Sequence, residues 1–253
     1  MEFALETLLF LFFAAAIASF LDTLAGGGGL ITIPALVVSG VPPLAALGTN
    51  KLQSSMGSGT ASFLLFRRRK ILWPDIKPLM LMAFVGSVAG GLLVQFINAE
   101  ALGFIIPLVL FLIAIYFIAA PYFKLETDSP RLSDKTYENT VIPLIGVYDG
   151  MFGPGTGSFF AAAGVSLRAL ELIKATATAK PLNFATNIAS LIVFIFAGQV
   201  VWIAGIAMMF GQLLGAWFGS HYLFKVNPKL LRILIVTLCL IMLGQYCYRQ
   251  FFS

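Results

Sequence analysis

Long apolar segments, separated by short polar stretches, make up almost the whole of this chain. The predicted helices cover residues 3–24, 43–66, 75–97, 101–122, 139–165, 170–196, 200–222 and 228–249. Each approaches or exceeds the roughly 20 residues that an α-helix needs to cross about 30 Å of hydrocarbon. The segments do not alternate between apolar and polar residues, as the strands of a membrane β-barrel would. The pattern therefore predicts an all-α polytopic membrane protein with about eight transmembrane helices.

Composition and charge support this class. Of the 253 residues, 59% are hydrophobic and 11% are charged, whereas about a quarter of the residues in a soluble domain are charged. The net charge is +5, and several basic residues cluster at predicted helix ends, where they set orientation and contact lipid headgroups. We therefore expect a lipid bilayer, and no nucleic acid, as the partner. With one histidine and no Cys/His cluster, the sequence predicts no metal site and no cofactor.

One pattern occurs twice, about half the chain apart. In each copy an aspartate precedes a glycine cluster, and a lysine within a small polar stretch follows. The aspartates are Asp22 and Asp149 and the lysines are Lys51 and Lys180, so the offset is about 127–129 residues. Internal duplication of this kind is common in secondary transporters. We predict a first membrane repeat over residues 1–123, a polar linker over 124–138 and a second membrane repeat over 139–253.

The distribution of positive charge favours inverted halves. The basic residues 67–70 follow the second predicted helix and should lie in the cytoplasm. The equivalent loop of the second half, residues 197–200, is uncharged, and the next loop, residues 225–232, is basic instead. Four full crossings per half would make the halves parallel, so inversion needs one extra crossing or re-entrant segment in each half. Residues 30–48 contain three prolines and are the candidate in the first half.

The glycine clusters are predicted to break helices at the centre of the protein. They consist of Gly26, Gly27, Gly28 and Gly29 in the first half and of Gly153, Pro154, Gly155, Thr156 and Gly157 in the second. Each glycine disfavours helix by about 1 kcal/mol relative to alanine. Backbone N–H groups freed at such a break, together with the start of the next helix, form a site for an anion. The alternative is close helix packing through small residues.

The two lysines are the most costly residues in this apolar setting. On insertion scales, a lysine at a helix centre costs roughly 2.5–3.5 kcal/mol unless it faces water, a carboxylate or an anion. Asn50 and Gln53 lie close to Lys51, and Asn183 lies one helical turn after Lys180. A cation together with amides and hydroxyls suits a compact oxyanion. The alternative is that each lysine extends to the membrane interface.

The two aspartates have three candidate roles. Asp22 and Asp149 each precede a glycine cluster by four residues. Either carboxylate could cap the following helix or pair with one of the lysines. Either could instead carry a coupling proton, because desolvation favours the neutral form of a carboxyl group. We therefore assign both aspartates to coupling or gating.

Four motifs resemble a known family. They are LDTLAGGGGL at residues 21–30, GTNKLQ at 48–53, GPGTG at 153–157 and TAKPLN at 178–183. Together they are similar to the two repeats of the TauE/SafE sulfite exporter family, and the resemblance covers essentially the whole chain. It implies transport of small sulfur-containing anions, such as sulfite, sulfoacetate or related organosulfonates. It also implies a location in the cytoplasmic membrane.

We therefore predict an ion-coupled secondary transporter for a small sulfur-containing anion, with its site where the two halves meet. The binding residues are predicted to be the glycines of both clusters with Thr156, Lys51 and Lys180, and the orienting residues Asn50, Gln53 and Asn183. A sulfite or sulfonate group offers three oxygens to such donors. Alternating access would follow from movement of one half against the other.

Other functional classes fit the sequence less well. An anion channel would also use broken helices, but it needs a continuous wet path. An intramembrane aspartyl protease needs two membrane-embedded carboxylates, but its Gly-x-Gly-Asp motif is absent and the paired lysines would have no role. We therefore predict that the chain is not an enzyme. A non-transporting scaffold would also leave the lysines unexplained.

A homodimer is also compatible with the sequence. Gly86, Gly90 and Gly91 form a small-residue surface in the third predicted helix. Such surfaces serve either contacts between subunits or packing within one chain.

Overall fold

The computed structural model describes residues 3–120, 127–222 and 228–252, and this part of the chain is helical, without strands. Five of its helices, α1, α4, α5, α9 and α10, are long and apolar enough to cross a membrane, so the prediction of an all-α polytopic membrane protein is confirmed. The helices are α1 (Leu5–Ala25), α2 (Gly29–Val38), α3 (Pro43–Arg67), α4 (Trp73–Val94), α5 (Ala99–Ala119), the single turn α6 (Asp134–Thr136), α7 (Ile142–Met151), α8 (Thr156–Arg168), α9 (Leu172–Phe196), α10 (Trp202–Tyr222) and α11 (Pro228–Phe252).

Both glycine clusters break a helix, as predicted. In the first half α1 ends at Ala25 and α2 begins at Gly29, because Gly26 and Gly27 adopt positive φ angles of 77° and 108°. In the second half the expected single helix over 139–165 is wrong. Helix α7 ends at Met151 and α8 begins at Thr156, and both glycines between them, Gly153 and Gly155, have positive φ angles. Such angles cost little only for glycine.

In each half, the two helices on either side of the break form a hairpin, α1 with α2 and α7 with α8. Each hairpin begins and ends at the same face of the protein. The last residue of α8, Arg168, donates a hydrogen bond to the carbonyl of Leu132 and pairs with Asp134, both of which precede α7. In the first half, Val37 at the end of α2 and Leu11 near the start of α1 belong to one buried apolar cluster. The extra segment that inversion requires is therefore a re-entrant hairpin in each half.

The loops after α3 and after α9 lie at opposite ends of α3. The N–H of Val201, in the loop after α9, donates to Thr49 Oγ1 near the start of α3 (2.9 Å). Arg68, which follows the end of α3, donates from Nη1 to the carbonyl of Ser220 near the end of α10 (2.8 Å). Helices α3 and α9 are therefore antiparallel, as expected for the central helices of inverted halves. That the halves arose by duplication stays a prediction.

The two faces of the protein differ in charge. The face at the end of α3 carries a set of basic residues, Arg67, Arg68, Arg69, Lys70, Lys77, Arg131, Lys135, Arg168 and Lys174. Near the opposite face, the first turns of α1 and α5 contain Glu6 and Glu100. The bias of cytoplasmic loops towards Lys and Arg predicts that the basic face lies in the cytoplasm. Lys225 and the side chains of Lys229 and Arg232, also expected there, lie outside the described part of the structure.

Glycine contacts bring two pairs of helices close together. A Cβ added at Gly211 or Gly215 of α10 would lie about 2 Å from a main-chain carbonyl oxygen of α1, and one added at Gly86 or Gly90 would meet α7 in the same way. A Cβ at Gly91 would meet Ser190 of α9. The small-residue surface of α4 is therefore used within the chain. A homodimer, if it forms, requires a different surface.

Replacement of Gly90 by alanine tests this packing. The new Cβ would lie 2.0 Å from the carbonyl oxygen of Val147, so α4 and α7 must separate. Overpacking of this kind costs about 1–3 kcal/mol, and we expect a lower thermal unfolding temperature in detergent. Gly244→Ala is the matched control, because an added Cβ there meets nothing within 4 Å. Equal unfolding temperatures for the two variants would contradict the described contact.

Labelling of single cysteines tests the placement of the two loops. In a background without Cys239 and Cys247, we expect Arg69→Cys to react with a membrane-impermeant thiol reagent only from the cytoplasmic side. Ala197→Cys, in the loop after α9, should react only from the other side, since both positions are exposed and lie at opposite ends of α3. Labelling of both from one side would exclude the inverted arrangement.

Candidate functional site

The tips of the two hairpins meet inside the protein. The Ser158 hydroxyl at the start of α8 donates a hydrogen bond to the carbonyl of Ala25 at the end of α1. A Cβ at Gly26 would lie 2.6 Å from the backbone nitrogen of Ser158 and 3.1 Å from the carbonyl carbon of Gly157. Only glycine permits this approach together with the positive φ at position 26. The two breaks predicted from sequence therefore form one central structure.

Lys51 of α3 holds the hairpin of the other half. Its side chain is fully buried, and Nζ lies 3.2 Å from Asp149 Oδ1. Nζ also donates to the main-chain carbonyl of Asp149, close to the end of α7. The Thr156 hydroxyl donates to the same carboxylate oxygen, Asp149 Oδ1, at 2.6 Å. A cation at the end of a helix is stabilised by the carbonyl dipoles there.

Lys180 of α9 makes the reciprocal contact with the first half. Its Nζ lies 3.5 Å from Asp22 Oδ2 and donates to the main-chain carbonyl of Asp22, near the end of α1. Asp22 Oδ1 accepts hydrogen bonds from the N–H groups of Gly27 (2.9 Å) and Gly28 (3.0 Å). Asp22 thus caps the start of α2 and pairs with a lysine. The freed N–H groups that were predicted to bind an anion are here bound by this carboxylate.

Neither Lys51 nor Lys180 extends to the membrane–water interface. The relative exposure of Lys51 is 0% and that of Lys180 is 1%, and each amine points at a broken helix of the other half. A buried charge of this kind persists only when it is paired and hydrogen-bonded. The structure therefore excludes the interfacial alternative and supports the ion-pair alternative for both aspartates.

A small polar cavity lies between the two ion pairs. Its volume of about 20 Å³ is close to the roughly 10–15 Å³ that one water needs. No apolar side chain contributes to its lining, which consists of Asp22, Gly28, Gly29, Asn50, Ser54, Asp149, Gly153, Asn183, Asn187 and Gln212. The cavity thus brings together residues from both halves of the chain.

The other predicted site residues lie around this cavity and do not line it. Asp149, which lines the cavity, is bound by Lys51 and Thr156, and Asp22, which also lines it, is bound by Lys180. Gln53 donates to Asn50 Oδ1 (2.7 Å), and its own Oε1 is buried without a donor among the described residues.

The remaining glycines of the two clusters support the hairpin tips. Gly26 and Gly157 face each other in the tip contact, and a Cβ at Gly27 would touch Phe117 of α5. A Cβ at Gly155 would lie 2.9 Å from Ile113 of α5, on the side of the apolar core. These glycines allow the helix breaks and the close contacts at the hairpin tips, but they do not line the cavity.

Three residues that line the cavity were not among the predicted binding residues: Ser54, Asn187 and Gln212. Gln212 lies in α10 and is 3% exposed, and it stands outside the pattern that the two halves share. The available signal was a single amide within an apolar helix, which is costly unless it faces a polar site.

The chain was compared with known proteins. The family model described as sulfite exporter TauE/SafE matches residues 11–246. The chain is 44% identical to the probable membrane transporter protein ORF9 of Sinorhizobium sp over 235 residues, 93% of this chain and 90% of the relative. It is 42% identical to the probable membrane transporter protein YfcA of Escherichia coli K12 (94% and 88%) and 40% identical to a probable membrane transporter protein of Haemophilus influenzae (99% and 98%). No solved structure gives a significant match.

A double-mutant cycle tests the buried pair between Lys51 and Asp149. Lys51→Met leaves the Asp149 carboxylate without its cation, and removal of one partner of a buried pair costs about 3–5 kcal/mol. We expect a large loss of thermal stability, most of which Lys51→Met combined with Asp149→Asn restores. Lys77→Met, at an exposed position, is the control for loss of a lysine. A double variant no more stable than the single one would show that the ion pair is not the cause.

Proposed function

Because the chain belongs to the TauE/SafE sulfite exporter family and is a membrane transporter, we propose that it moves a small sulfur-containing anion across the cytoplasmic membrane. Sulfite, sulfoacetate and related organosulfonates are the proposed substrates, and transport is ion-coupled. The observation that carries this proposal is the central cavity, which two buried lysines approach from opposite halves.

The cavity offers suitable donors for an oxyanion. Asn50, Asn183 and Gln212 bring side-chain amides to its wall, and Gly28 lies at the positively polarised start of α2. The Asn187 amide also lines the cavity but donates to Asn183 within α9. A sulfite or sulfonate group presents three oxygens in a compact shape, and charge-assisted hydrogen bonds to such groups are short and strong. A larger or purely apolar ligand would leave the buried amides without partners, at a cost in free energy.

The two ion pairs control how tightly an anion is held. Lys51 and Lys180 are balanced by Asp149 and Asp22, so the empty site carries no net charge when all four groups are ionised. An anion that binds a lysine must loosen it from its aspartate. The aspartates then compete for the lysines again as the anion leaves, which favours release.

Movement of the hairpins provides access. The cavity has room for about one water, so a sulfonate requires the hairpin tips to separate. The α7–α8 hairpin starts and ends at the basic face, and the α1–α2 hairpin starts and ends at the opposite face. Displacement of one hairpin at a time would open the site to one face at a time. This is alternating access.

Anion binding to the purified protein tests the proposal. We expect a selective rise in unfolding temperature with sulfite or sulfoacetate and a much smaller rise with chloride, followed by measurement of the affinity by calorimetry. Thiosulfate, taurine and sulfate complete the panel. Lys51→Ala and Lys180→Ala should each weaken binding by about 10–100-fold, since a hydrogen bond to a charged group contributes about 1.5–3 kcal/mol.

Controls separate the site from general effects of charge. Lys77→Ala removes an exposed lysine at the start of α4 and should bind the anion like the original protein. Because loss of Lys51 destabilises the fold, Lys51→Ala is also compared with Lys51→Met combined with Asp149→Asn, which removes the amine without leaving an unpaired carboxylate. Lys180→Ala is compared in the same way with Lys180→Met combined with Asp22→Asn. Unchanged affinity in both lysine variants would place the anion elsewhere, and no response to any anion would refute the proposed substrate class.

A further inference from the structure

We propose that the two ion pairs have different functions: Asp149 binds the proton that travels with the anion, whereas Asp22 stays ionised and holds the first hairpin. This inference rests on the proposed function, because it names the coupling ion of the same site. It also breaks the equivalence that the repeated sequence pattern suggests for the two aspartates.

Asp22 has donors on both carboxylate oxygens. Oδ1 accepts two backbone hydrogen bonds, from Gly27 and Gly28, and Oδ2 forms an ion pair with the Lys180 amine at 3.5 Å, while that amine donates its hydrogen bond to the Asp22 main-chain carbonyl. The side chain is also 21% exposed, so it retains some contact with solvent. Hydrogen bonds to the ionised form of a carboxylate stabilise that form. A proton on Asp22 would lose these interactions and weaken the cap of α2.

Asp149 has donors on one oxygen only. The Lys51 amine and the Thr156 hydroxyl both approach Oδ1, at 3.2 Å and 2.6 Å. No donor among the described residues reaches Oδ2, although the side chain is 1% exposed and the residue lines the cavity. A buried acceptor without a partner is unfavourable. A proton on Oδ2 satisfies that oxygen and leaves both contacts at Oδ1 in place.

The surroundings favour a proton over a metal ion. The Lys51 amine, 3.2 Å from Asp149 Oδ1, would repel a metal cation bound to the same carboxylate. Metal ions such as Ca²⁺ and Mg²⁺ also need about six or more oxygen ligands, and the described residues contain no cluster of three or more acidic, histidine or cysteine side chains. A proton needs one free oxygen, and Oδ2 provides it.

Few other charges face Asp149. From α3 it faces Lys51, and across the cavity lies the pair of Asp22 and Lys180. The helices packed against α7 carry their other charges near their cytoplasmic ends, among the described residues Asp75, Lys77, Glu138, Arg168 and Lys174. The phenol of Tyr148, the preceding residue of α7, also interacts electrostatically with Asp149. The protonation state of Asp149 is therefore set by Lys51, Tyr148, the neighbouring ion pair and the contents of the cavity.

Protonation changes the charge of the site in the direction that an anion requires. With Asp149 neutral, the cavity gains one positive charge, and Lys51 can donate to the anion instead of the carboxylate. The new O–H group at Oδ2 becomes a further donor. The proton enters from water on the side to which the site is open and leaves on the other side after the anion. Proton and anion therefore move in the same direction, in a ratio of one to one.

Infrared difference spectroscopy on the reconstituted protein tests the proton site without any anion. When the pH is lowered, we expect the carbonyl stretch of a protonated, buried carboxylic acid. The band should be missing in Asp149→Asn, which keeps the side-chain shape and the acceptor for Thr156. It should persist in Asp22→Asn. Absence of the band from the original protein, or its persistence in Asp149→Asn, would overturn the proposal.

Proteoliposomes loaded with a pH-sensitive dye test the coupling. With an inward gradient of sulfoacetate, which is ionised at neutral pH, we expect the lumen to acidify with about one proton per anion taken up. Asp22→Asn should still take up about one proton per anion, even if its transport rate is lower. Asp149→Asn should take up close to no protons per anion. A ratio that stays near one in Asp149→Asn, or near zero in the original protein, would overturn the coupling.

The two experiments separate this inference from the proposed substrate. A carboxylic acid band assigned to Asp149, in a protein that neither binds nor transports sulfoacetate or sulfite, would support the proton site and refute the sulfur-containing anion. Anion transport without the band would support the substrate and refute the proton site. If Asp149→Asn is unstable, Thr156→Val serves as a second variant, because loss of its hydrogen bond to Oδ1, the carbonyl oxygen of the protonated acid, should raise the frequency of the band.

Discussion

The reciprocal pairing of two buried lysines with two aspartates is the interaction on which the rest of the structure depends. Lys51 on α3 binds Asp149 in the second hairpin, and Lys180 on α9 binds Asp22 in the first. Each contact joins a central helix of one half to a broken helix of the other. Since neither lysine has access to solvent, the hairpins must be held where their aspartates and terminal carbonyls face these amines.

Glycine makes this arrangement sterically possible. The tips of the hairpins approach at Gly26 and Ser158 more closely than any side chain at position 26 would permit, and glycines along α10 and α4 bring those helices against α1 and α7. In lipid, the hydrophobic effect contributes little to helix association, so van der Waals packing of this kind supplies much of it. The glycine-rich composition therefore serves two purposes, to break helices and to pack them.

The same contacts suit a transporter. Charges that are balanced in the empty site leave it neutral, and a cavity of about 20 Å³ has room for little more than one water. Two hairpins that enter from opposite faces meet at this cavity, so each can open its own side. The two aspartates differ in their hydrogen bonds, which allows one of them to stay fixed while the other responds to the substrate.

By itself the sequence determined the membrane class, the helical architecture, both helix breaks and the identity of the four charged residues at the centre, because composition and local pattern carry that information. It did not determine which lysine binds which aspartate, since these contacts join residues 98 and 158 positions apart. Nor did it reveal Gln212, the re-entrant path of the hairpins or the unpartnered oxygen of Asp149. These depend on how distant helices pack, and two aspartates with the same local pattern become different only through the neighbours that the tertiary structure gives them.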